Sequence, residues 1–596
     1  MNYLKINEKI LKHSLKNKKR ITLSLIVAFL ITGGIDFVGE EVFARDLRAR
    51  KRSANNIKPD TGGPSMSTSA NGNDLINIVK PDSNGLSHNK FVDFSVGSEN
   101  SAIFNNNATG APVVSKTGGI VTHNPNLSQE GKPGTAAKAI LTEVTGNKIS
   151  NIDGTVEIAG QKADFILANE NGISVNGGGF INTSGVTLTT GKPSVSGNDL
   201  NLNVTKGKVT IGEVGAGTAG DYFNVIAKTI ELKGQIAAFE GEQDADITLI
   251  AGQNKVNLKD RKTPNVEKIL GNDKTDTKYG IYANNLGAMY GRNIKMISTT
   301  EGLGVRHEGL IRSSGDIEIQ SNGDIAIGGL NAGKSIKMQG KGDFSTINGA
   351  YELDKVKYNY SILANNGVNI TVDGNIVIES AVSATGEEGI KFTAKNLRIN
   401  GNGKTTAAIV SNAGLTMKIS GDINIETLMR PVMAGRNPSK PPLLVLKDVN
   451  GNVKVVDPET NRTLNENEYR WESDGIYAQN IDIEGNNIKN ETIIRNLREY
   501  RQNKIKIKAN NLENSNIIAS SGDLEINAKK ITNSKMINDK LQEKNITGSM
   551  SGAKVVINTE EITNEGEIRQ NTHTKGEAVD LYNGLTINIK NGSFSN

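Results

Sequence analysis

Five short segments of this 596-residue chain share one pattern, and that pattern restricts the fold more than any other feature. Gly315-Asp-Ile-Glu-Ile319, Gly323-Asp-Ile-Ala-Ile327, Gly374-Asn-Ile-Val-Ile378, Gly421-Asp-Ile-Asn-Ile425 and Gly522-Asp-Leu-Glu-Ile526 each read as a turn and then a strand with two inward residues two apart. A second module, Ala509-Asn-Asn-Leu-Glu-Asn514, is echoed by Ala528-Lys-Lys-Ile-Thr-Asn533 and Thr559-Glu-Glu-Ile-Thr-Asn564. Its copies lie 19 and then 31 residues apart. A strand–turn period near about 20 residues, with insertions and no helical spacing, describes a solenoid. The expected fold is all-β, a parallel β-helix in which every coil adds one rung. An array of β-sandwiches would use two-residue hairpin loops as its rule, and they are not the rule here.

Composition agrees with a thin core. Hydrophobic residues make up 36% and aromatics 4%, low for a large globular enzyme, yet Ile, Val and Leu recur too often for a disordered chain. The chain has no Cys, which excludes disulfides, thiolate metal sites and Cys nucleophiles. Its five His are too scattered for an HExxH zinc motif, and neither metal nor cofactor is expected. Residues 1–44 carry +3 and residues 45–52 carry +4 of the total +5, leaving −2 on the other 544 residues. A nucleic-acid binder would show a basic face in its folded part, so no nucleic-acid partner is expected.

The first 44 residues read as a secretory signal peptide. A basic region ends at Arg20, an apolar stretch runs over 21–32, and Val42-Phe43-Ala44 offers a small-residue cleavage site after Ala44. The apolar run is shorter than the roughly 20 residues of a spanning helix. Residues 45–72, basic and rich in Ser, Gly and Asn, read as a flexible linker.

Five of the 13 Pro fall at positions 431–458, and none lies between Pro264 and Pro431 or after Pro458. Proline cannot donate to an internal ladder, so 426–475 reads as a Pro-rich excursion between β-helix repeats at 313–425 and 476–596. Inside it, Asn450-Gly451 between two apolar runs signals a hairpin, and Trp471, the only Trp, follows. Insertions on solenoids often form binding faces; a passive loop is an equal reading.

Residues 73–190 carry a set of motifs that is specific in combination. It includes Leu75-Ile-Asn-Ile-Val-Lys-Pro81, Phe104-Asn-Asn-Asn107, Asn124-Pro125-Asn126-Leu127, Ala139-Ile-Leu-Thr-Glu-Val-Thr145, Asn169-Glu170-Asn171-Gly172 and Asn176-Gly-Gly-Gly-Phe-Ile-Asn-Thr183. With Leu286-Gly-Ala-Met-Tyr290 and Glu301-Gly-Leu-Gly-Val-Arg306 further on, the chain resembles the secretion domain of filamentous-haemagglutinin-type exoproteins of two-partner secretion, over residues 73–312. The resemblance implies a right-handed parallel β-helix with an N-terminal cap. It also implies export from a Gram-negative cell through an outer-membrane β-barrel transporter whose periplasmic docking domains bind the secretion domain. Asn124, Pro125, Asn126 and Leu127 match the family's NPNL motif. Asn169, Asn171 and Gly172 match its NPNG motif, with Glu170 where Pro is usual, so that turn is expected to be looser. Both motifs are read as turn locks rather than transporter contacts, since Asn and Gly accept φ > 0 and Asn side chains bond nearby backbone. The missing CxxC pair of the haemolysin branch favours an adhesin.

Two literal nucleotide motifs are set aside. Gly328-Gly-Leu-Asn-Ala-Gly333-Lys334-Ser335 has the GxxxxGKS spacing, but a strand pattern follows it where a phosphate loop needs a helix. Gly215-Ala-Gly217-Thr-Ala-Gly220 lacks an acidic ribose partner and reads as a turn. The leading reading is a non-enzymatic secreted or surface-displayed adhesin with an unidentified host or bacterial receptor. The rival is the delivery stick of a contact-dependent growth-inhibition toxin. About 20–22 residues per coil and about 4.8 Å per rung give a rod on the order of 110 Å over residues 73–596. An uncapped last coil would expose a ladder edge, so the chain is expected to belong to a longer exoprotein or to associate end to end.

Overall fold

A computed structural model describes residues 53–595 apart from short internal segments, the longest being 433–443 and 572–583. The leader, with Ala44, lies outside the described residues. Alternation inside short strands, broken by Gly and Asn turns, produces three parallel sheets that wind around one apolar core. Sheet I runs from Ser101–Asn106 and Thr155–Gly160 to Glu567–Gln570. Sheet II runs from Leu86–Ser95 and Ala139–Val144 to Leu585–Ile589. Sheet III runs from Ser150–Ile152 and Ile173–Val175 to Phe594–Ser595. The chain visits I, II and III in turn, so each coil pairs in register with the coils before and after it. The fold is a right-handed parallel β-helix, the hand that crossovers between parallel strands adopt.

The G-[DN]-[IL]-x-I repeat resolves into two phases. Asp316 and Asp523 open strands of sheet II, whereas Asp324, Asn375 and Asp422 open strands of sheet III. At the corner between sheets II and III these residues stack. Asp324 accepts from the Asp343 amide, Asp343 from the Asn375 amide and side chain, Asn375 from Asn396, Asn396 from the Asp422 amide, and Asp422 from Asn487. Successive members lie 19, 32, 21, 26 and 65 residues apart, so coil length varies while the corner stays in line. A second column is buried: Asn490 donates to Asn514, Asn514 to Asn533 and Asn533 to Asn564, each at 2.8 Å. These last three are the terminal Asn of the second sequence module.

The core changes character along the rod. Its N-terminal coils hold a chain of rings, Phe91, Phe94, Phe104, Phe165, Phe180 and Phe223, with centroids 5.2–6.1 Å apart. Later coils stack aliphatic rows such as Ile317, Ile336, Val368 and Ile390.

Two expectations are corrected. Residues 53–72 are not a linker. Asn56–Pro59 pairs antiparallel with Leu86–Ser95, and Ser65–Thr68 with Asp74–Asn77, together forming the N-terminal cap. A strand lying on the end of a solenoid buries one face only, so Ile57 and Met66 suffice to anchor an otherwise polar segment to the core. The rod is also shorter than 110 Å. Sheet II has seventeen strands, which at about 4.8 Å per rung spans about 80 Å. The difference went into excursions. The rod leaves off at Glu426 and resumes at Gly475, and between them Leu444–Lys447 pairs antiparallel with Val453–Asp457. The Asn450-Gly451 turn itself lies outside the described residues.

Candidate functional site

Both Asn motifs fold as side-chain-locked turns in the N-terminal coils. Asn124 is fully buried; its Oδ1 accepts from the Asn126 amide at 2.9 Å, and its Nδ2 donates to the carbonyls of Ile78 and Asn105. Asn126 donates in turn to the carbonyls of Asn77 and Ile78. Pro125 is exposed, and Leu127 is buried in the core. The turn therefore ties three successive passes of chain together, at 77–78, 105 and 124–127.

Residues 169–172 repeat that construction one coil on. Asn169, also fully buried, accepts from the Asn171 amide at 2.9 Å and donates to the Lys148 carbonyl and the Ser150 hydroxyl. Asn171 donates to the Gly146 carbonyl, and Gly172 closes the turn at φ +128°, a value glycine tolerates. The turn at Glu170 is not looser: its locking hydrogen bond equals that of the first motif. Glu170 is half-exposed and lies 3.4 Å from Lys206, so its side chain takes no part in the lock.

Two outer layers brace these coils, each held by a carboxylate with no local sequence signal. The hairpin of Val113–Ser115 and Gly119–Val121 lies against sheet I, with Val113 and Val121 packed on Leu75, Ile103 and Ala159. Glu157, 2% exposed, accepts from the Lys116 and Thr117 amides and the Thr117 hydroxyl, and so fixes the hairpin turn. On the hairpin's outer face the cross-strand pair Val114 and Ile120 is 84% and 66% exposed.

The second layer is an antiparallel sheet of Lys192–Ser196, Asp199–Val204, Asn254–Asn257 and Asn265–Lys268. It covers sheet II, burying Leu200, Leu202 and Val256 against Leu141, Ile166 and Ile250. Arg261 reaches back from this layer to Asp164 at 3.2 Å, and its carbonyl accepts from Asn224. Burial raises the Asp164 carboxyl above its ordinary range despite Arg261, and burial likewise pushes the neighbouring Tyr222 phenol well up. A second anchor, Asp246, meets Lys262 of this layer at 3.6 Å and, within sheet II, takes both ends of the Arg292 guanidinium at 2.9 Å. Burial alone would raise Asp246, but its bonds to Arg292 outweigh that and hold it below the usual carboxylate range.

Among the described residues no three His, Asp or Glu converge as a metal site. Gly328–Ser335 lies in strand Ile325–Ala332 and the turn before Ile336–Gly340, without a helix. Gly215–Gly220 runs through the short strand Ala216–Thr218. Sequence reasoning missed the roles of Glu157 and Arg261, the pairing of Asp164 with Arg261, and the burial of His307, because their partners or, for His307, the residues that cover it lie in other coils.

A capped β-helix whose first coils are locked by paired Asn turns and braced by two outer layers is a solenoid with a specialised N-terminal domain. That domain matches a known family: residues 53–327 fit the TPS secretion domain. The match begins inside the segment expected as linker and ends beyond residue 312. Among relatives, the filamentous hemagglutinin of Bordetella pertussis is 42% identical over 256 residues, 43% of this chain and 7% of the relative. The 16S rRNA endonuclease CdiA of Enterobacter cloacae is 35% identical over 351 residues, 56% of this chain and 10% of the relative. The chain thus spans about a tenth or less of the length of these relatives. The crystal structure of the filamentous hemagglutinin secretion domain aligns with 62% of this chain and 99% of its own at 30% identity, with a TM-score of 0.42.

Proposed function

We propose that the chain is a secreted or surface-displayed, non-enzymatic adhesin-type exoprotein of a Gram-negative bacterium. An outer-membrane β-barrel transporter, whose periplasmic domains bind the secretion domain, exports it. The observation that carries this reading is the TPS secretion domain at residues 53–327. The locked turns at Asn124 and Asn169 fit such a role, because each cross-links successive passes of chain and so favours folding of the first coils before the rest. The outward charges suit an extended rod: Lys295 pairs with Glu318, Lys508 with Glu484 and Lys530 with Glu561, so that each pair joins neighbouring coils. The delivery-stick reading is favoured by one fact, that the alignment with the endonuclease CdiA covers more of this chain than that with filamentous hemagglutinin.

The test is expression in a Gram-negative host with and without the partner transporter. Protein in the medium or on the surface only when the transporter is present is the expected result. Equal export without it would overturn the proposal.

A further inference from the structure

The corner where sheet II bends into sheet III is concave over five successive coils, those of Gly367–Val372, Gly389–Ala394, Ile409–Ile419, Gly475–Glu484 and Lys504–Asn514. Small residues at the bend, Ala394, Ser420, Gly485 and Ala509, leave a groove of about 630 Å³ there. Five rungs at about 4.8 Å make it about 19 Å long, running with the rod. All the residues that line it are among the described residues.

The groove lies in a local excess of cations. The stretches of these coils that form sheet II and its corner, 367–373, 389–395, 414–420, 480–486 and 503–510, carry six Lys against Asp373, Asp482 and Glu484, whereas residues 53–596 together carry −2. Lys504 is engaged by Asp523 at 3.8 Å and Lys508 by Glu484 at 2.7 Å. Glu484 stands in register between Lys418 and Lys508 yet pairs with Lys508 alone, which leaves Lys418 over. Lys391, Lys395 and Lys506 likewise make no ion pair among the described residues. The bond from Lys508 holds Glu484 below the usual carboxylate range, and the charges of Lys418 and Lys506 add to it. The groove therefore already favours one carboxylate and has cations to spare.

Its other groups are hydrogen-bonding ones. Asn510 donates to Asn486 at 2.6 Å, which leaves the Asn486 amide nitrogen and the Asn510 amide oxygen for a ligand, with the hydroxyls of Thr393 and Ser420 alongside. Single-stranded nucleic acid is held by stacking on rings, and no lining residue is aromatic. A lipid surface takes up protruding apolar side chains, and here Val372, Ala394 and Ile419 are buried. A linear sugar chain needs donors and acceptors along its length and, if acidic, cations at intervals. Lys395 and Lys418 stand on adjacent coils, about 5 Å apart along the rod, and Lys508 two coils beyond Lys418, about 10 Å further.

We propose that this groove binds a linear, carboxylate-bearing polysaccharide, its carboxylates paired with Lys395 and Lys418 and its hydroxyls bonded to Asn486 and Asn510. The proposal rests on the adhesin reading above and names a ligand class for the shaft.

The exported full chain would be titrated calorimetrically with a size-defined alginate oligosaccharide, a neutral dextran oligosaccharide, single-stranded oligothymidylate and phosphatidylglycerol vesicles. Alginate should bind, more weakly as salt rises, and dextran should not. Lys395→Ala/Lys418→Ala should weaken alginate binding about tenfold or more, because two charge-assisted contacts are lost. Lys337→Ala/Lys341→Ala removes the same charge from sheet II outside the groove and should leave binding within about twofold. All four substituted side chains are exposed, so far-UV circular dichroism should not change. A parent chain that does not bind alginate, equal losses in the two double variants, or equal binding of dextran overturns the groove. Tighter binding of oligothymidylate or of vesicles overturns a polysaccharide as the ligand. The adhesin reading fails separately: a chain that binds alginate but reaches the medium equally well without the transporter refutes that reading and leaves the groove standing.

Discussion

His307 makes the stability of the secretion domain depend on pH in a direction that can be worked out. The side chain is fully buried, stacked in register between Ala283 and Ile327. Its Nδ1 lies 3.3 Å from the Gly309 carbonyl, and its Nε2 has no partner. Burial lowers its pKa from 6.5 to about 4. A base whose folded pKa is depressed is held neutral by the fold. Its contribution is complete above pH 6.5 and is lost as pH falls from there towards 4. The whole window is worth about 3 kcal/mol, and the loss between pH 7.5 and pH 5 is about 2 kcal/mol. Urea denaturation of the full chain at these two pH values, beside His307→Leu, separates this group from all others, because the remaining titrations are common to both proteins. The parent should lose about 2 kcal/mol more than the variant on acidification. Identical pH dependence in the two would refute the reasoning.

Three further outcomes are expected. Asn124→Ala and Asn169→Ala each remove several hydrogen bonds of a buried side chain and should cost about 2–3 kcal/mol by denaturation and slow export, whereas Glu170→Ala should change either by little. Glu157→Gln should free the 113–121 hairpin, seen as faster proteolysis there while the rod stays intact. Asn514→Ala leaves Asn490 without one of its two acceptors and Asn533 without the donor to its Oδ1, so it should destabilise by about 2–4 kcal/mol, measured by hydrogen exchange in the flanking coils.

The solenoid was legible because its signal is local. An apolar residue every second position and Asn or Asp at the turn can be read within one coil, and Asn514 and Asn533 already stood in a visible module. Phase was harder. Gly315-Asp316 and Gly323-Asp324 look alike but open different sheets, since both corners need the same turn chemistry. The turns at 124–127 and 169–172 are legible in the sequence, yet the tightness of 169–172 is not, because its lock lies in Asn169 and Asn171 and owes nothing to position 170. The two outer layers left no trace in any window. Val113 and Val121, or Leu200 and Leu202, read as ordinary alternation, and only the tertiary fold shows that they lie outside the main core. The linker reading failed for a related reason: composition reports how much a segment can bury, and an end cap needs to bury very little.

The two outer layers also decide how this molecule would come apart under load. Coils beyond residue 327 bear only on the coils next to them, so tension along the chain from the far end would strip rungs singly, each resisted by one set of ladder bonds. Stripping would meet something different at the Phe-lined coils. There the Glu157 clip and the sheet pinned by Arg261 and Lys262 span several rungs at once, so that the bonds are strained in parallel. The rod is thus mechanically graded, a compliant shaft set on a stiff root.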